Sequence, residues 1–164
     1  MRPDIGLVPP NQFIPMAENN GLINLLGAWA LKSACVQLKR FEEAAGRPLY
    51  VSVNVSPRQF RSDQFLSMMD DALKLSGLEG DQLLLEITEG ILMSDPEHAE
   101  ALLAKITARG VRIAIDDFGT GYSSLVYLKR FPIAALKIDR TFIKDLPDSC
   151  LLYTSPSPRD VEES

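Results

Sequence analysis

Cysteine is scarce in this chain, with only Cys35 and Cys150 among 164 residues. The pair forms neither a zinc-ligand spacing nor a disulfide framework, which excludes a small disulfide-stapled fold and favours a reducing compartment. Long apolar runs are also missing. None approaches the ~18 residues a membrane-spanning helix needs, and the N-terminus does not read as a signal peptide, so a cytoplasmic location is expected. Basic charge is not in excess. Seventeen Lys and Arg face 22 Asp and Glu, for a net charge of −5. That balance gives no footprint for a nucleic-acid backbone, so no DNA or RNA partner is expected. A small or cyclic nucleotide held through a metal remains compatible with it. What is present is 46% hydrophobic residues, enough for one sizeable core in one domain.

The apolar spacing alternates between helical and extended segments, without an internal repeat or a long linker. "PPNQFIPMAENNGLI" reads as a short helix started by Pro9 and Pro10 and ended near Gly21. "LINLLGAWALKSACVQLKRFEEAAG" has apolar residues three and four apart, with Gly46 placed as a C-cap. On that stripe Cys35, Trp29 and Phe41 are expected in the core, as are the methionines of "SMMDD". "RPLYVSVNVS" is a β-branched strand. Asp63 is placed to cap the helix "QFLSMMDDALKLSG". "DQLLLEIT", "VRIAID" and "IAALKID" read as strands, and "DPEHAEALLAKITARG", "SSLVYLKRF" and "RTFIKDL" as helical segments. This rhythm argues for βαβ units and a parallel α/β sheet, with near-continuous apolar strands covered on both faces.

The carboxyl ends of these strands carry Asn54, Glu86, the adjacent Asp116 and Asp117, and Lys137 with Asp139. That edge is where parallel α/β folds bind ligands. Each Asn or Asp taken singly could be a turn former. Four strand ends in register, with Glu86 set inside a strand, call for a partner to the buried charge. Carboxylates plus an amide oxygen suit Mg²⁺ or Mn²⁺ better than zinc. Neighbouring Asp116 and Asp117 make sense if a metal pair neutralises them, and two such metals activate water and stabilise the leaving oxygen of a phosphodiester. Lys137 is placed to orient that water or to neutralise a phosphate oxygen. The spacing alone also admits a metal-dependent barrel enzyme acting on carbon by enolate stabilisation. His98, the only histidine, is expected to face solvent, since metal-bound water needs no imidazole base.

"GLVPPNQFIPMAENNGLI", "VSVNVSPRQF", "LLLEITEGILM", "IAIDDFGTGYSSLVYLKRFP" and "LKIDRTFIKDL" closely resemble the EAL domain family, bacterial phosphodiesterases that linearise cyclic di-GMP to pGpG. The resemblance runs from about Gly6 to Leu146. It implies a TIM-barrel-like (β/α)8 fold with one antiparallel strand, of which about four central βα units are present here. It implies two Mg²⁺ or Mn²⁺ ions, with Asn54, Glu86 and Asp116 matching ligands and Asp117 matching the ligand of the second metal. Lys137 matches the lysine that contacts the catalytic water. Glu89 matches the glutamate that holds the "DDFGTGYSS" loop, and the Asp117–Ser124 region is linked in the family to a homodimer. The stretch Ser56 to Gln59 matches the edge of the substrate cleft. There Arg58 and Gln59 are candidates for binding substrate, with a solvated surface arginine as the alternative for Arg58. Asp139 is a candidate partner of Lys137, with helix capping as the alternative. Such domains often follow GGDEF or sensory domains, and a membrane anchor upstream in the parent protein is compatible with the resemblance.

Two departures qualify the match. The Glu-Ala-Leu strand that names the family belongs ahead of Gly6 and is not in this sequence, while Glu100 to Leu102 repeats those letters inside a helix. After about Leu146 the family pattern gives way to "PDSCLLYTSPSPRDVEES". This Ser/Pro-rich tail without periodicity resembles read-through or a cloning scar, with a natural disordered tail as the alternative. The division expected is a partial EAL domain over 1–146 and an unrelated tail over 147–164. Such a partial barrel is expected to be poorly soluble or partly molten alone and to turn over little or no cyclic di-GMP. The expected activity of the parent is that of a cyclic-guanylate-specific phosphodiesterase. A non-catalytic cyclic di-GMP receptor or protein-interaction scaffold is the alternative.

Overall fold

The structure, a computed structural model, describes residues 6–119 and 129–138. Its elements in chain order are α1 (Pro10–Asn19), α2 (Ile23–Ala45), β1 (Val51–Asn54), α3 (Pro57–Phe60), α4 (Phe65–Ser76), a 3₁₀ turn (Gly80–Gln82), β2 (Leu83–Thr88), α5 (Glu89–Ser94), α6 (Pro96–Thr107), β3 (Arg112–Phe118) and β4 (Ala135–Ile138). The four strands form one sheet in sequence order, and every pairing is parallel. This is the α/β architecture that the alternation of helices and strands implies. The expected helix "SSLVYLKRF" falls almost wholly outside the described residues, as do Asp139, Cys150, "RTFIKDL" and the tail.

Side-chain alternation divides the sheet into two unlike faces. Leu83, Leu85, Ile87, Ile113 and Ile115 are fully buried on one face, packed with Leu31 and Cys35 of α2, Phe65 and Met69 of α4, and Leu103 and Ile106 of α6. Each such Leu or Ile contributes ~1.5–3 kcal/mol by leaving water. The opposite face carries Ser52, Asn54, Leu84, Glu86, Ala114 and Asp116. Ser52 and Asn54 are exposed, whereas Leu84 and Glu86 are buried. The strands are therefore not apolar on both sides as expected from their composition, and polar groups are gathered on the face away from the helices.

Most helix boundaries follow local signals. Gly46 and Gly77 end α2 and α4 at φ 62° and 66°, left-handed values that glycine adopts without a Cβ penalty. The Asp95 side chain caps α6 by accepting from the His98 N–H at 3.1 Å. The expected cap by Asp63 is not made: α4 begins after Gln64, with no side-chain cap bond. Trp29 and Phe41 are 66% and 56% exposed, not core. Two residues rotate a helix by about 200°, so Trp29 points away from the buried Leu31. Cys35 and Met69 are buried as expected, and His98 is exposed with its ring edge-on to Phe60 at 6.4 Å. No described helix is long and apolar enough to cross a membrane.

Candidate active site

Parallel register sets the polar residues in rows. Asn54 pairs with Glu86, Glu86 with Ala114 and Ala114 with Ala135, which forms one row across the sheet. Thr88 and Asp116 form the next row toward the carboxyl ends. The Val55 N–H donates to the Glu86 carbonyl at 2.9 Å, which fixes the end of β1 beside β2.

The pairing of β3 with β4 is then broken by a bulge. Ile115 pairs with Leu136 and Phe118 with Ile138, so Asp116 and Asp117 together stand opposite the single residue Lys137. Asp117 adopts φ 54°, the one positive value among the described non-glycine residues. A regular strand would send adjacent side chains to opposite faces. The extra residue and the left-handed turn break that alternation, and strain of this kind collects at functional sites. Both carboxylates attract the Lys137 ammonium.

Lys137 Nζ lies 2.5 Å from Glu86 Oε1, with the glutamate side chain 5% exposed and the lysine side chain 45%. Burial is the largest single influence on the Glu86 carboxyl and raises it. The bond from Lys137, the hydroxyl of Ser52 and the lysine charge outweigh it and bring the group below the usual carboxylate range. Lys137 is raised, first by its bond to Glu86 and further by the charges of Glu86, Asp116 and Asp117, against a smaller desolvation effect. Glu89, 3% exposed, begins α5, and its Oε2 accepts from the Gly119 N–H at 3.1 Å. The start of the glycine turn after β3 is thus tied to the residue that follows β2. The remainder of this loop, from Thr120 to Ser124, lies outside the described residues.

The two substrate candidates sit apart from each other. Arg58 is exposed and lines an open polar groove with Asn24, Arg61, Ser62, Asp63 and Gln64. Gln59 is buried at 6% exposure. Its Oε1 accepts from the Ser56 N–H at 3.2 Å while its own N–H donates to Ser56 Oγ at 3.3 Å, a capping box around α3. The Gln59 side chain borders an apolar cavity of about 470 Å³ that Asn54, Thr88 and Trp29 also line. Ser52 was not signalled as a site residue by its type, although it stands two residues before Asn54 on the same face of β1.

One amide oxygen and three carboxylates form a hard donor set at the strand ends, which fits magnesium or manganese by chemistry. Among the described residues no group of three His, Cys, Asp or Glu side chains converges as an ion cage, and an ammonium stands at Glu86. The donors therefore suit the ions in kind, and their spacing does not form a cage.

This chain belongs to the EAL domain family, whose model matches residues 2–151. It is 44% identical over 144 residues to the bifunctional diguanylate cyclase/cyclic di-GMP phosphodiesterase MucR of Pseudomonas aeruginosa, covering 88% of this chain and 21% of MucR. It is 42% identical over 147 residues to the cyclic di-GMP phosphodiesterase NbdA of the same organism, covering 90% of this chain and 19% of NbdA. The chain thus spans about a fifth of the length of these relatives. Among solved structures, a cyclic di-GMP complex of the PaMucR phosphodiesterase matches with a TM-score of 0.85 and 42% identity, over 90% of this chain and 60% of that one. The four-stranded parallel sheet is therefore an arc of the TIM-barrel-like EAL fold.

Proposed function

We propose that this chain forms part of a magnesium- or manganese-dependent phosphodiesterase that hydrolyses cyclic di-GMP to linear pGpG in bacterial second-messenger signalling. The observation that carries this reading is the β3 bulge, which sets Asp116 and Asp117 together against Lys137, beside the buried Glu86. The likeness to MucR and NbdA supports the substrate class.

In this reading Asn54, Glu86 and Asp116 would hold one ion and Asp117 a second. When bound, the ions would supply an activated water and charge stabilisation at the phosphate. Water adds to one phosphodiester, the phosphorus–oxygen bond to a ribose 3′-oxygen breaks, and that oxygen leaves with a proton. The Lys137 ammonium orients the water or neutralises a phosphate oxygen. Glu89 fixes the turn at Gly119 and so holds Asp117 in its unusual conformation. Arg58 binds a phosphate or guanine edge, and Gln59 shapes the neighbouring wall of the cleft.

The domain proposed spans 1–146, with the stretch 147–164 outside it. A homodimer through the Asp117–Ser124 region, a cytoplasmic location and covalently linked GGDEF or sensory domains complete the proposal. The 164-residue chain by itself is expected to turn over little substrate. The ammonium standing on Glu86, one of the candidate ligands, favours a second reading, a non-catalytic cyclic di-GMP receptor or scaffold.

A chimera separates the two readings. Residues 6–146 replace the matching segment of MucR, and cyclic di-GMP is supplied with Mn²⁺. Formation of pGpG that Asp117→Asn abolishes supports the enzyme. Binding without cleavage moves the conclusion to the receptor, and neither binding nor cleavage rejects both.

A further inference from the structure

We propose that Lys137 is a built-in counter-cation: it neutralises Glu86, and a divalent cation must displace it to bind there. The inference rests on the metal-dependent reading and adds to it a competition inside the site.

Glu86 is almost fully enclosed, and a buried carboxylate without a positive partner is costly. The Ser52 hydroxyl gives it a dipole, and the ammonium at 2.5 Å gives it a charge. A divalent cation gives the same relief with twice the charge, and at Glu86 Oε1 the two compete for one oxygen. An ammonium and a dication cannot share that carboxylate without repelling each other.

The position of Lys137 suits it to leave. It lies on β4, the last strand of the described sheet, and nearly half of its side chain is open to solvent. The bulge places Asp116 and Asp117 opposite it, so the ammonium can move outward along the row of acids without losing all its partners. Ion binding would thereby free the same ammonium that the proposed reaction uses at the phosphate. Loading of the site and readiness of Lys137 become one event.

The test is a Mn²⁺ titration of the full 164-residue chain, read from the electron paramagnetic resonance signal of free hexaaqua Mn²⁺. The parent, Lys137→Met and Lys137→Arg are compared. Lys137→Met keeps the apolar stem and removes the competitor, so its Mn²⁺ affinity should rise about tenfold or more, the scale of a charge-assisted hydrogen bond. Lys137→Arg keeps the charge and should bind no more tightly than the parent. An unchanged or weaker affinity in Lys137→Met, with Mn²⁺ still bound by the parent, overturns the competition alone. Absence of Mn²⁺ binding in all three overturns the metal reading and this inference with it. A measurement on the parent keeps the question decidable if the variants fail to fold. The Lys137 ammonium resonance should move to solvent-exposed values as Mg²⁺ saturates the site, and a resonance that stays in place through saturation rejects displacement.

Discussion

Replacing Gly27 with alanine should destabilise the turn that follows β1, against the usual benefit of alanine in a helix. Gly27 lies inside α2, where an exposed glycine changed to alanine gains about 1 kcal/mol. Here the new Cβ would fall 1.8 Å from Gln59 Nε2 and 2.2 Å from its Cδ, so Gln59 must move. Moving it breaks the bond from Ser56 N–H to Oε1 at 3.2 Å and leaves a partly buried donor unsatisfied, at about 1–3 kcal/mol. Residual overpacking adds about 1 kcal/mol. After the helix gain, a net loss of about 1–3 kcal/mol is expected, which is a factor of roughly 5–160 in local opening. Amide hydrogen exchange at Ser56, followed by NMR, reads this directly and should accelerate by that factor. In a Gln59→Ala background the clash is gone, and Gly27→Ala should then stabilise α2, a coupling that a double-mutant cycle isolates. Unchanged or slower Ser56 exchange in the single variant would show that Gln59 does not rest on Gly27.

Other substitutions test the site from different directions. Asp117→Asn suits φ 54°, relieves repulsion with Asp116 and gives up an attraction to Lys137, so urea unfolding should show stability changed by no more than about 1 kcal/mol, while Mn²⁺ affinity falls. A stability loss beyond that would mean the aspartate is a structural residue. Glu89→Leu deprives the Gly119 N–H of its acceptor and should cost about 1–3 kcal/mol, with faster exchange at Gly119, whereas Glu89→Gln keeps an acceptor and most of the protection. The Glu86–Lys137 pair should confer stability between two limits. Glu86 is lowered from 4.5, so its contribution is present above that value and is lost as pH falls through its lower folded value. Lys137 is raised from 10.5, so its contribution is complete below that value and is lost as pH rises through its higher folded value. A pH-stability profile of Lys137→Met that matches the parent at both limits would remove the pair from the account. Burial pushes the Cys35 thiol up to about 11, so disulfide-exchange reagents should not modify it at neutral pH until denaturant is added.

Much of the fold is written locally. The 3.6-residue period, Gly46, Gly77 and the Asp95–Pro96 start mark α2, α4 and α6 because capping and periodicity depend only on near neighbours. The strand-end series Asn54, Glu86, Asp116 and Lys137 was legible for the same reason: each polar residue closes an apolar run. Periodicity could not say which part of the broad apolar surface of α2 is covered, so Trp29 and Phe41 read as core and are exposed. The single turn α3 is too short for periodicity, although "SPRQ" carries its capping box. The bulge at Asp116 and Asp117 depends on how β3 and β4 register, a relation between distant segments that no local pattern encodes. The burial of Gln59 against a glycine of α2 is likewise a tertiary fact, and it separates Gln59 from Arg58 despite their adjacency in sequence.

On the proposed function, the carboxylates beside Lys137 bind cyclic di-GMP through divalent cations. Isothermal titration of cyclic di-GMP into the protein, with Mn²⁺ and again with a chelator, tests it most directly. Saturable binding is expected with Mn²⁺, and it is lost with the chelator and with Asp116→Asn. Binding of equal strength in the chelator, or none under either condition, would contradict it.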